Sequence, residues 1–284
     1  MSSLSYFVGP HVSIGGGVEQ APANAAALGA TAFGMFTKNQ RQWQAAAYTD
    51  ANRHGFAARL QAHGYTPRQV LPHAGYLINL ANPDPAAQAR SLQAFVDELR
   101  LCGELGLDCL NLHPGSHLRL LTPEAAQTRV ARAIDKALAQ TEGVTVVIEN
   151  TAGQGACLGS TFEELAAIVR QVKDPARIGV CLDTAHAFAA GFDIRTAAGF
   201  GRMLDAFDRI VGLKFLRGMH INDSKVGLNS HVDRHESLGK GLLGWETFRA
   251  VMREPRCANL PLILETPDED LWPAEIRRLK EMAA

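Results

Sequence analysis

The chain has 284 residues, 46% of them hydrophobic and 20% charged, which is enough to bury a large core and is an ordinary size for one α/β barrel. No window has the unbroken run of about 18 apolar residues that a membrane span needs, and the start lacks a basic, apolar leader, so a soluble, cytoplasmic protein is expected. A formal net charge of −1 does not advertise a nucleic-acid binder, and five cysteines without a Cys-x-x-Cys pair argue against a disulfide framework and a thiolate zinc site.

Short apolar, β-branched-rich runs alternate along the chain with longer amphipathic stretches. Strand-like Phe7–Val12 precedes helix-like Val18–Leu28, then Ala30–Phe36 precedes Asp50–His63, Gln69–His73 precedes Pro85–Leu105, and Cys109–His113 precedes Pro123–Gln140. The second half repeats the pattern with Thr145–Glu149 and Thr161–Val172, Ile178–Asp183 and Arg195–Val211, Phe215–Asn222 and Gly244–Met252, and Pro261–Glu265 and Trp272–Ala284. Eight strands alternating with eight helices, without a composition break, predict a single (β/α)8 TIM barrel spanning residues 1–284. A doubly wound open sheet is the competing architecture. The irregular stretch Ser224–Gly244 reads as an active-site loop rather than a linker.

From the third strand to the eighth, an apolar run terminates in a histidine or carboxylate: His73, His113, Glu149, Asp183, His220 and Glu265. In a barrel these ends share one rim, where catalytic groups are placed, so residues scattered through the chain become one cluster. His186 follows Asp183 by three positions, and Asp233-Arg-His235 in the long loop adds two more candidates. Histidine and carboxylate without cysteine suit zinc, with manganese and iron open on the same grounds. Nine candidate ligands would serve about three ions at about three protein ligands each. The alternative reading takes each residue as a satisfied core histidine or a helix cap, and must explain every case separately.

His11, at the end of the first strand, is a candidate to orient a ligand or a phosphate; His54 and His63 are expected to face solvent, and His117 to lie on a loop near the site. No Gly-x-Ser-x-Gly, His-Glu-x-x-His or Walker sequence is present, so neither a serine nucleophile nor a nucleotide cofactor is expected.

Six blocks carry a family resemblance: Phe36-Thr-Lys-Asn-Gln-Arg-Gln-Trp43, His73-x-x-Tyr-Leu-Ile-Asn-Leu80, Leu112-His-Pro-Gly-Ser-His117, Ile148-Glu-Asn-Thr-Ala-Gly-Gln-Gly155, Asp183-Thr-Ala-His-Ala-Phe-Ala-Ala-Gly191 and Val232-Asp-Arg-His235. Together they resemble the endonuclease IV family of apurinic/apyrimidinic endonucleases, in order and over nearly the whole chain. The resemblance implies a trinuclear zinc site in which His73 and His113 bind one ion and Glu149 bridges to a second. Asp183, His220 and Glu265 would complete the second site, and His186, Asp233 and His235 the third. It also implies that Arg41, Tyr76 and Leu77 enter duplex DNA at an abasic site, where an apolar wedge offsets lost stacking. Ala74 and Ala185 depart from residues common in the family, and neither departure removes a ligand.

The activity so implied is hydrolysis of the phosphodiester 5′ to an abasic site in double-stranded DNA, leaving a 3′-hydroxyl and a 5′-deoxyribose phosphate, with clearing of blocked 3′ ends as a companion reaction in base excision repair. Glu149 and Glu265 are the expected catalytic carboxylates. A barrel with one active rim could work as a monomer. Two rival classes remain at this point. A metal-dependent sugar isomerase or epimerase would use Glu149, Asp183, His220 and Glu265 but would not need the other ligands or the wedge; a protein that binds damaged DNA without cutting it would be expected to have lost ligands.

Overall fold

The computed structural model describes residues 5–44 and 46–283, so the first four residues, Ala45 and the last position of the expected C-terminal helix lie outside the described residues. Eight parallel strands close on themselves: β1 (Phe7–Val12), β2 (Phe33–Phe36), β3 (Val70–His73), β4 (Cys109–Leu112), β5 (Thr145–Glu149), β6 (Ile178–Asp183), β7 (Leu216–His220) and β10 (Pro261–Leu264). The two-residue strands β8 (Asp223–Ser224) and β9 (His235–Glu236) form a separate antiparallel ribbon inside the long loop after β7. Because β1 pairs with both β2 and β10, the barrel has no open edge, and the open-sheet alternative is excluded.

Helices surround the barrel: α1 (Ala21–Ala27), α2 (Asp50–Ala62), α3 (Pro85–Glu104), α4 (Pro123–Leu138), α5 (Phe162–Gln171), α6 (Thr184–Ala189), α7 (Ala197–Ile210), α8 (Trp245–Arg253) and α9 (Trp272–Ala283). Six of them start where a short polar side chain takes up a free backbone amide: Thr49, Asp84, Thr122, Thr161, Asp183 and Thr196 cap α2, α3, α4, α5, α6 and α7. Pro85 and Pro123 then occupy first-turn positions, where a missing N–H costs nothing. The expected first helix is divided, with a 3-10 turn over Val18–Gln20 and α1 opening at Ala21 with Pro22 in its first turn. The strand expected from Ala30 begins at Phe33, because the amides of Thr31 and Ala32 turn instead onto the Val8 carbonyl. Helix α6 was not visible as a hydrophobic period, since six residues make fewer than two turns.

The lumen explains how the rim is built. Ala32, Leu71, Cys109, Val147, Cys181 and Ile263 form an apolar cluster of their own, with Phe7 packed against it and separate from the main core between sheet and helices. Side chains alternate along a strand, so the residue two positions further on points the same way. From this layer the step of two leads to His73, Asn111, Glu149, Asp183 and Glu265. Gly34 belongs to the same interior, since a Cβ there would stand 2.9 Å from the Ile263 side chain and 3.2 Å from the His11 ring. An apolar plug below and a polar layer above are thus two successive inward rows of the same strands.

Candidate metal centre

Glu149 lies at the centre of that polar layer and is completely buried. Its Oε2 lies 3.4 Å from His73 Nε2 and 3.6 Å from His113 Nε2, and its Oε1 lies 3.0 Å from His220 Nδ1 and 3.3 Å from His186 Nδ1. The register places these groups side by side, with Glu149 opposite Cys181 and Asp183 opposite His220. Glu265 faces His220 Nδ1 through Oε2 and His11 Nδ1 through Oε1, both at 3.2 Å. Asp233 Oδ2 is 3.2 Å from His186 Nε2 and its Oδ1 is 3.4 Å from His235 Nε2, while Asp183 Oδ2 is 3.7 Å from that same His235 nitrogen.

Three overlapping groups of histidines and carboxylates have ligand atoms close enough together to share an ion: His73, His113 and Glu149; Glu149, Asp183, His220 and Glu265; and Asp183, His186 and His235. Eight of the nine residues singled out in the sequence fall in these groups, and the ninth, Asp233, faces His186 and His235, so all nine converge on one rim. The third group differs in detail from the expected one, because Asp183 faces it as well as the second, with Asp233 beside both histidines. The thiol of Cys181, set aside in the sequence reading, also lies near Glu149 and His220. Burial pushes that thiol up to about 11, as suits a protonated residue in the apolar plug.

The donor set fits bound cations. Every ion-pair partner of Glu149, Asp183, Asp233 and Glu265 is a histidine, so no lysine or arginine among the described residues neutralises these carboxylates. Burying an ionised carboxylate without compensation costs many kcal/mol, on the order of tens in a fully apolar medium. The buried Nε2 atoms of His186 and His235 have no hydrogen-bond partner, although carboxylate oxygens surround them. Burial would raise the Asp233 carboxyl, but the facing His186 and His235 imidazoles outweigh it and hold it down to about 2. Burial alone would lower the His73 and His186 imidazoles, yet the facing carboxylates outweigh it and raise both. The imidazoles take protons where the carboxylates call for metal.

Three asparagines orient the carboxylates, and none of them was assigned a role from the sequence. Asn111 donates to Glu149 Oε2. Asn150 accepts the Asp183 amide at 2.6 Å, and Asn222 donates to Asp183 Oδ2 at 2.7 Å while accepting the Glu265 amide at 2.7 Å. His186 is fixed in turn, donating Nδ1–H to the Asn150 carbonyl at 2.9 Å, which leaves Nε2 free to ligate. Asn222→Ala is expected to weaken metal binding by about 10- to 100-fold with the fold intact. Competition with a graded chelator measures this; an unchanged affinity would show that the helix-cap bond from the His186 amide suffices to hold Asp183.

The long loop is held over the rim by its own anchors. The Asp223 carboxylate, fully buried, accepts the amides of Gly239, Gly241 and Leu243 at 2.8, 3.1 and 2.9 Å. The Asp233 amide donates to Gln154 Oε1 at 2.9 Å, which ties the ligand-bearing segment to the loop after β5.

The model of a family described as a xylose isomerase-like TIM barrel matches residues 22–282. The chain is 52% identical over 272 residues to the probable endonuclease 4 of Chlorobium luteolum, covering 96% of this chain and 98% of that one. The chain belongs to the endonuclease IV family. A second member, the probable endonuclease 4 of Campylobacter concisus, is 49% identical over 276 residues, 97% of this chain and 98% of its own. The crystal structure of endonuclease IV from Thermus thermophilus superposes with a TM-score of 0.85 at 36% identity, covering 97% of this chain and 98% of that chain. As a member of the endonuclease IV family the protein is an endonuclease, a hydrolase of phosphodiester bonds, and the isomerase rival falls away.

The three further residues that the sequence singled out sit outside the ligand cluster. Tyr76 is 64% exposed and Leu77 38% exposed, on the loop that leaves β3 directly after His73. The Tyr76 ring stands edge-on to Phe36 with centroids 5.3 Å apart, and 5.8 Å from the His73 ring. Arg41 is exposed on the loop after β2. His54 and His63 face solvent on and just after α2, as expected. No described helix is long and apolar enough to cross a membrane.

Proposed function

We propose that the protein hydrolyses the phosphodiester 5′ to abasic sites in double-stranded DNA, with three zinc ions held by His73, His113, Glu149, Asp183, His186, His220, Asp233, His235 and Glu265. The observation that carries this reading lies on β3 and its loop. His73 belongs to the buried ligand cluster, and Tyr76 and Leu77, three and four residues further on, stand exposed beside it. An exposed aromatic–aliphatic pair next to a hydrolytic centre suits a duplex with a gap in its stack, because the side chains replace lost stacking as the sugar turns out. Arg41, exposed on the neighbouring loop, fills the vacated space.

Bound in this cluster, zinc supplies Lewis acidity to the phosphate and lowers the pKa of a water towards roughly 7. The chain's own residues place the groups and handle the proton. Glu149, within reach of four histidines, fixes the spacing between ligand groups. Glu265, whose oxygens face His11 and His220, would orient the attacking water or accept its proton. The products are a 3′-hydroxyl and a 5′-deoxyribose phosphate, and the same chemistry removes blocked 3′ ends. Rim contacts to the phosphates carry no sequence information, so selectivity comes from the ease with which an abasic site bends and flips.

The pair Tyr76→Ala and Leu77→Ala tests the reading. Together they are expected to raise KM for a duplex with one abasic site by about tenfold or more, since each base–aromatic stack is worth about 1–3 kcal/mol. Metal content should not change, and steady-state nicking of abasic duplex decides the matter. A KM equal to wild type would remove the wedge from the account.

A further inference from the structure

Away from the ligand cluster, the structure buries a charged pair that plays no part in the chemistry above. Glu98, on α3, is fully buried, and Lys38, on the loop after β2, is 7% exposed. Lys38 Nζ lies 3.2 Å from Glu98 Oε1 and also donates to the carbonyls of Gln42 at 2.6 Å and Trp43 at 3.2 Å. Glu98 accepts the Thr37 hydroxyl at 3.1 Å and, from the other loop, the Gly75 amide at 3.1 Å. One carboxylate therefore holds both the loop that carries Arg41 and the loop that carries Tyr76 and Leu77.

Two further contacts make the same connection. A Cβ at Gly75 would stand 3.2 Å from Glu98 Oε1 and 3.3 Å from the Gln40 carbonyl, so the two loops meet backbone to backbone at a position without a side chain. Helix α3 also holds each loop elsewhere: Arg90 lies over the Trp43 ring at 5.2 Å, and Ser91 Oγ accepts the Asn79 amide at 3.1 Å. A buried ion pair is a poor source of stability, because desolvation cancels much of the attraction. What it supplies here is a fixed geometry.

We propose that Lys38 and Glu98 are positioning residues that lock the Arg41 loop and the Tyr76–Leu77 loop into one rigid unit, so that both enter the duplex together at a preset spacing. This rests on the reading of Arg41, Tyr76 and Leu77 as the residues that open the lesion. Without the brace the loops move independently, and binding of the distorted duplex bears the cost of ordering them.

The test compares wild type, Glu98→Ala, Glu98→Gln, Lys38→Met and Tyr76→Ala on a duplex with one abasic analogue and 2-aminopurine opposite it, whose fluorescence reports the disturbed stack. Metal per chain is measured on every sample. Glu98→Ala is expected to raise KM about tenfold and to lower the fluorescence change, with kcat within about twofold and metal content unchanged, because small misplacements of binding groups cost up to about 100-fold. Glu98→Gln keeps an acceptor for Gly75 and Thr37, and is expected to recover part of the loss. If Glu98→Ala does not fold, Lys38→Met, which keeps the side-chain length, decides by the same two readouts. Unchanged KM and fluorescence in the brace variants, with both lost in Tyr76→Ala, would overturn the brace alone. If Tyr76→Ala also behaves as wild type, the wedge reading fails and the brace proposal with it.

Discussion

Glu149→Ala is expected to lower nicking of abasic duplex by more than about 1000-fold, because one residue serves two ligand groups and removal of a member of a concerted site is not partly compensated by the others. Among the described residues only Glu149 reaches all four of His73, His113, His186 and His220, which come from β3, the residue after β4, α6 and β7. Metal per chain should fall in the same variant, since both groups lose a carboxylate. Glu149→Gln keeps the shape and the bond from Asn111 but not the charge, and should resemble the alanine variant in rate. A rate within tenfold of wild type for either would mean that the cluster is held together by something other than this carboxylate.

Removing the metal is the second large effect. Chelation followed by gel filtration is expected to abolish nicking, and to lower thermal stability because the buried carboxylates of Glu149 and Asp183 lose their counter-charges. The loss should be reversible with zinc and should depend on pH in a stated direction. In the metal-free chain the His73 and His186 imidazoles bind protons more tightly than usual, and those protons must leave before the nitrogens can ligate. Metal loading should therefore strengthen as pH rises from about 6 to about 8 and weaken as it falls. Zinc titration at several pH values, with proton release recorded, checks the sign; loading that improves towards acid would contradict it.

Much of this site was legible in the sequence, for a physical reason. A strand buried on both faces has no use for a charged residue at its end, so an apolar run such as Val146-Val-Ile-Glu149 that stops on a carboxylate carries information. Barrel closure then supplied the three-dimensional step, since all the strand ends share one rim. Strand parity points to a further residue: Asn111 stands two residues after Cys109 and two before His113, on the inward face, although an asparagine at a strand end is by itself no signal of a site. The double placement of Asp183 was not readable, because it depends on where the loop after β7 folds back, and Asp223 with its glycine-rich partners Gly239 and Gly241 sets that path through backbone amides.

Glu98 carries a signal of its own in the sequence. Ser91, Ala94, Phe95, Glu98, Leu101 and Cys102 recur at helical spacing and all are buried, so a carboxylate sits on the apolar stripe of α3. A charge in that place requires a partner, yet the sequence alone could not say that Lys38, far back along the chain in a loop, would be it. Helix α6 stayed hidden because Thr184-Ala-His-Ala-Phe-Ala189 is too short to show a period and is defined by its cap, Asp183, rather than by its apolar face.

The most direct test of the central claim is a nicking assay on a duplex with a single abasic site, with the ends of both fragments identified and zinc per chain measured on the same wild-type sample. The account predicts cleavage on the 5′ side of the lesion, a free 3′-hydroxyl and a 5′-deoxyribose phosphate, with about three zinc ions per chain at about three protein ligands each. Full metal loading with no incision at the abasic site, or incision that is equally fast on undamaged duplex, would contradict it.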